Sequence, residues 1–121
     1  MHTVLSFEMT VTGKGGHGAM PNKAIDPIIA SAAVIQEMFR VAALHDATLH
    51  FLQIDAGTRF NIIPEEVVCT GTITVADQQS PRACEEALRL IAQSTAAAFR
   101  CESTIELRQT VQEGDPNGRQ K

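Results

Sequence analysis

The chain has no tryptophan and no tyrosine, and its 4% aromatic content comes from five phenylalanines alone. Base-stacking platforms and aromatic cages need more rings than this, which argues against single-stranded nucleic acid and quaternary ammonium ligands. Positive charge is also scarce. Ten Lys and Arg against 14 Asp and Glu leave a net charge of -4, so electrostatics favours neither nucleic acid nor an anionic membrane as a partner. No uninterrupted apolar run approaches the ~18 residues that cross a bilayer. The opening MHTVLSFEMT lacks the basic start and continuous apolar core of a signal peptide, so the expected location is cytoplasmic. Cys69, Cys84 and Cys101 are an odd, widely spaced set with no C-x-x-C pair. They fit neither a disulfide framework nor a zinc knuckle, and buried free thiols are expected.

What remains is an ordinary globular composition, 44% hydrophobic and 20% charged over 121 residues, enough for one core. Leu5, Phe7, Met9 and Val11 alternate with Ser6, Glu8, Thr10 and Thr12, the period of a strand with one face buried. Asp26-Pro27 reads as a helix start, and Ile25, Ile28, Ile29, Ala32, Ile35 and Phe39 then recur at helical spacing to about Ala42. Thr48 to Ile54 is apolar without clean alternation and reads as a strand of uncertain facing. Val67, Cys69, Gly71, Ile73 and Val75 mark a third strand. Ser80-Pro81 repeats the cap-then-proline signal before the stripe Cys84, Ala87, Leu88, Ile91, Thr95, Ala98 and Phe99. Ile105 and Leu107 mark a last strand. The order strand, helix, strand, strand, helix, strand is the split pattern of an α+β, ferredoxin-like sandwich: four antiparallel strands with two helices on one face. Residues 1–112 are expected to form this unit, and the polar segment 113–121 to be a disordered tail.

One stretch does not serve the pattern. GKGGHGAMPNKAIDP, Gly13 to Pro27, sets four glycines around His17 at a strand-to-helix junction, where a close approach to the backbone is implied. It is not a Walker loop, and Asp26 at the helix cap would repel a phosphate. The four histidines, His2, His17, His45 and His50, show no H-x-x-x-H pairing, so no metal site is predicted in this chain. His17 reads either as an exposed loop histidine or as a group presented to a ligand. Asn61, in AGTRFNIIPEE, reads either as a turn residue bonding its own backbone or as a ligand contact. Glu65-Glu66 and Glu85-Glu86 sit where solvated faces are expected.

Taken together, GKGGHGAMPNKAIDPI and AGTRFNIIPEEVVCTGTI resemble two segments of the zinc-dependent amidohydrolase and exopeptidase family. That family includes hippurate hydrolases, aminoacylases, indole-acetyl-amino-acid hydrolases, acetylornithine deacetylases and carboxypeptidases. The first segment is similar to its G-K-x-x-H-x-A-x-P loop and the second to its G-G-x-x-x-N-V-I-P segment, and the likeness runs from about Ser6 to Leu107. The resemblance implies the family's smaller lid and dimerisation domain, with two zinc ions held by a larger catalytic domain that no part of this sequence matches. It further implies a homodimer through an edge strand and helix, and action of the parent enzyme on N-acyl amino acids or peptides. His17 takes the place of the lid histidine that stabilises the oxyanion in the partner subunit's site. Asn61 takes the place of a substrate-contacting asparagine, with Gly57 and Thr58 on the same pocket wall. The fragment alone is expected to be inactive. Asn22 stands where the hydrolase branch often has histidine, and Thr74 where many members have a carboxylate-binding arginine. The alternative is a freestanding ferredoxin-like module for binding a small ligand or for regulation.

Overall fold

The computed structural model describes residues 3–13, 16–17, 25–57 and 62–109, with backbone alone at 16–17 and 62–63. In chain order the elements are β1 (Thr3–Thr12), β2 (Gly16–His17), α1 (Pro27–Leu44), β3 (Ala47–Asp55), β4 (Ile62–Ile63), β5 (Glu66–Val75), α2 (Pro81–Ala98) and β6 (Glu102–Gln109). The main sheet runs β3-β5-β1-β6 with every neighbour antiparallel. The fold is therefore the expected α+β ferredoxin-like arrangement, with β3 and β6 at the edges. The segment 113–121 lies outside the described residues.

Both helices start where the sequence places them. The Asp26 carboxylate accepts from the Ile28 N–H at 2.9 Å and the Ser80 hydroxyl from the Ala83 N–H at 3.1 Å, with proline opening each helix. Both also end alike, in a non-glycine residue at positive φ, Asp46 (52°) after α1 and Arg100 (61°) after α2. The core lies between the helices and one sheet face. Leu5, Phe7, Met9 and Val11 bury their side chains, and Cys69, Ile73 and Val75 continue the layer along β5. Arg89 ties α2 to the edge, pairing with Glu85 at 3.0 Å and donating to the Ile105 carbonyl. The three cysteines are free and buried, as composition implied.

The expected helix stripes need correction, and two features go beyond the sequence reading. On α1 the buried side is Pro27, Ala30, Ser31, Val34, Met38, Val41 and Ala42. Of the expected stripe, Ile28, Ile29 and Phe39 are 43%, 56% and 51% exposed. The helix is apolar on more than one face, with a mean hydropathy of 1.4 over its 18 residues, so periodicity does not select a side. Smaller side chains on the buried face let α1 lie close on the sheet and on α2. That hydropathy also gives α1 the length and apolar character of a membrane span, yet a third of it is buried inside the domain. On α2, Cys84 and Leu88 are buried as expected, with Ala92 and Ala96 completing the face, while Phe99 is 40% exposed.

The first of these features explains the irregular strand. β3 and β5 change register between Phe51 and Gln53, which leaves Leu52 as an inserted residue. Leu49 and Phe51 follow one alternation and Leu52 and Ile54 another, so the single run shows none. The second is an addition: β2 and β4 form a separate two-stranded ladder that periodicity did not predict.

Candidate functional site

At one end of the main sheet the chain leaves β1 at Thr12-Gly13, leaves β3 at Asp55 and enters β5 at Glu66. These exits frame a cleft of about 590 Å³, lined by Thr12, Gly13, Asp55, Gly57, Pro64, Glu65, Glu66 and Val68. Its walls are set by backbone pairing: Thr12 stands opposite Glu66 across β1 and β5, and Asp55 opposite Val68 across β3 and β5. The Gly13 N–H donates to the Glu65 carbonyl at 2.8 Å and extends the joint beyond the strands.

Gly57 turns the chain out of β3. Its φ of 101° lies in the region open to glycine, and its N–H donates to the Asp55 carboxylate at 3.3 Å. Three carboxylates, those of Asp55, Glu65 and Glu66, line the cleft, and no lining residue named above is cationic. Glu65 and Glu66 are exposed, as expected of a solvated pair, but they also form a wall of this cleft. Charge patterning alone carried no signal for the second role.

The two sequence segments singled out above meet here. β2 pairs antiparallel with β4, Gly16 opposite Ile63 and His17 opposite Ile62. His17 is thus placed by backbone pairing beside the residues that follow Asn61 in the chain. Gly57 lines the cleft; Thr58, Arg59, Asn61 and Asn22 lie outside the described residues. Thr74 sits at the other end of β5, opposite Val4 and Thr48, about 26 Å along the strand from Glu66 at ~3.3 Å per residue.

The described residues do not supply a metal centre: no group of three His, Cys, Asp or Glu among them is arranged to hold an ion. Burial pushes Cys69, Cys84 and Cys101 above the ordinary thiol range, and Asp26 adds to the rise at Cys101, so the reactive thiolate is suppressed.

Comparison with known proteins gives a consistent picture. Residues 3–100 match the family model of the peptidase dimerisation domain. The chain is 33% identical over 104 residues to an N-acetylcysteine deacetylase of Bacillus subtilis, covering 82% of this chain and 27% of that protein. It is 32% identical over 106 residues to an N-acetyldiaminopimelate deacetylase of Enterococcus faecalis, covering 84% and 28%. Among solved structures, a dinuclear metal-binding peptidase of the M20 family from Bacillus subtilis superposes with a TM-score of 0.73 at 25% identity, covering 90% of this chain and 26% of that one. The chain spans little more than a quarter of the length of the relatives it matches.

Proposed function

Since the chain belongs to the peptidase dimerisation domain family of the M20 amide hydrolases, we propose that it is the dimerisation and substrate-covering domain of a metal-dependent enzyme cleaving N-acyl amino acids or peptides. The observation that carries this reading is the β2–β4 ladder, which sets the backbones of His17 and the Ile62-Ile63 segment side by side at the cleft end of the sheet. Two zinc ions in a catalytic domain outside this sequence would supply the Lewis acid for amide hydrolysis. This chain contributes the His17 imidazole as an N–H donor to the developing oxyanion in the partner subunit's site, with Asn61, Gly57 and Thr58 contacting substrate.

The face that suits a second copy is the β3 edge with the neighbouring side of α1. Among the described residues β3 pairs only with β5, so its outer hydrogen-bonding groups are open to another strand. On and beside it are Leu52 (70% exposed) and Ile54 (54% exposed), with Ile28 of α1 lining one apolar depression together with Ile54 and the exposed Phe39 ring packed against Phe51. A homodimer through this edge covers them all.

The test is His17→Ala in the enzyme that carries this domain together with its metal-binding domain. Loss of one oxyanion donor is expected to lower kcat by ~100-fold, with metal content and KM little changed. Unchanged turnover would overturn the reading.

A further inference from the structure

Gly13 is where the segment bearing His17 leaves the main sheet, and the crowding there is specific. A Cβ on Gly13 would lie 2.5 Å from the Ile25 carbonyl oxygen, 3.0 Å from Pro27 Cδ and 3.3 Å from Cys101 Sγ. The nearest of these atoms is backbone. It belongs to the entrance of α1, which is fixed by the Asp26 cap and by buried Pro27. On its other side Gly13 is held by its bond to Glu65, the residue before β5. The sequence expectation was that these glycines admit something close to the backbone; at Gly13 what comes close is the protein's own helix entrance.

We propose that Gly13 is a positioning residue for His17: by closing the exit of β1 onto α1 and Glu65, it sets the direction in which the chain departs and keeps β2 in register with β4. A methyl group at position 13 forces the Gly13 backbone away from the Ile25 carbonyl, which adjoins the capping residue Asp26. Since β2 follows within three residues and β4 ends one residue before Pro64, the displacement reaches both strands of the ladder. The catalytic consequence, though not the structural one, rests on the reading of His17 as an oxyanion donor. Placement errors of about 1 Å at a reacting centre cost on the order of 100-fold in rate.

The test has two arms. In the first, NMR amide shifts of the 121-residue chain are compared for wild type and Gly13→Ala. Expected are displaced resonances at Gly16, His17, Ile62 and Ile63, with the Thr72–Val75 end of β5 unmoved; unmoved ladder resonances overturn the proposal. In the second, Gly13→Ala in the two-domain enzyme should lower kcat with KM and metal content unchanged. It should cause no further loss in a His17→Ala background, and losses that multiply overturn the proposal. If Gly13→Ala does not fold, hydrogen exchange of the wild-type chain decides. The amides of Gly13 and of both ladder strands should open with one common denaturant dependence, and independent opening overturns the proposal. Should His17→Ala leave turnover intact, the functional reading falls while the NMR arm still decides the role of Gly13.

Discussion

His17 stands directly opposite Ile62 in the β2–β4 ladder. The two segments that carry the family likeness are far apart in sequence, and this pairing makes them one structural element. Ile63 of that element adjoins Pro64, which lines the acidic cleft with Asp55, Glu65 and Glu66, at the opposite end of β5 from Thr74. Strand pairing thus gives the His17 backbone a neighbour from the second segment.

The helix ends offer a first prediction. Arg100 holds φ at 61° without the benefit of glycine, so Arg100→Gly should raise stability by ~1 kcal/mol, the cost of the left-handed conformation to a side chain. Asp46→Gly should gain less, because aspartate tolerates that region better and Asp46 also accepts from the Gln79 amide at 3.2 Å. Urea denaturation followed by circular dichroism measures both. Equal gains, or a loss at Arg100, would count against this account of the turns.

Which face of α1 is buried can be tested by contrast. Met38 is fully buried, and Met38→Ala should cost ~2–5 kcal/mol through lost contacts and a residual cavity. Ile29 belongs to the stripe that periodicity favoured but is more than half exposed, and Ile29→Gln should stay within ~0.5 kcal/mol of wild type. Chemical denaturation at concentrations where the chain is monomeric gives the comparison; a reversed order would restore the other face to the core.

These cases show what the sequence makes legible. The order of the four main-sheet strands and two helices, both helix starts and the facing of β1 and β5 follow from local signals, proline after a capping side chain and strict two-residue alternation. The face of α1 does not, because an apolar helix is resolved by packing with α2 and the sheet, which its own sequence does not encode. The bulge at Leu52 scrambles alternation in β3, and only pairing with β5 reveals two short alternating runs. Resemblance and glycine chemistry single out His17 and Gly57 in the sequence, and Gly57 lines the cleft. The carboxylate wall and the constraint on Gly13 come from contacts between segments distant in the chain.

The buried thiols tie stability to pH. Their folded values lie above the ordinary 9.0, so between the unfolded and folded values the native state binds more protons than the unfolded one. The slope of unfolding free energy with pH is then negative: their contribution is fully present below pH 9 and is lost as pH rises through the folded values. Urea midpoints should fall as pH rises above 9, and fall less in a variant with all three cysteines replaced by alanine. In parallel, a thiol reagent at pH 8 should label the native chain far more slowly than the urea-unfolded chain. Rapid native labelling would contradict the burial.

The proposed dimer surface yields the last prediction. Ile54 and Leu52 are exposed on the open edge beside α1, whereas Leu90 is exposed on α2. A lysine at position 54 places a hydrated charge where a second copy would bury apolar area, and lysine on an edge strand is a device that blocks strand pairing. Ile54→Lys should therefore convert a wild-type dimer to monomer in light scattering. Its circular dichroism spectrum should be unchanged, because Ile54 buries too little of itself to hold the monomer together. Leu90→Lys changes the same chemistry on the other helix and should leave the dimer intact. A wild-type chain that stays monomeric at all concentrations, or a dimer that survives Ile54→Lys and dissociates with Leu90→Lys, would move the interface away from β3.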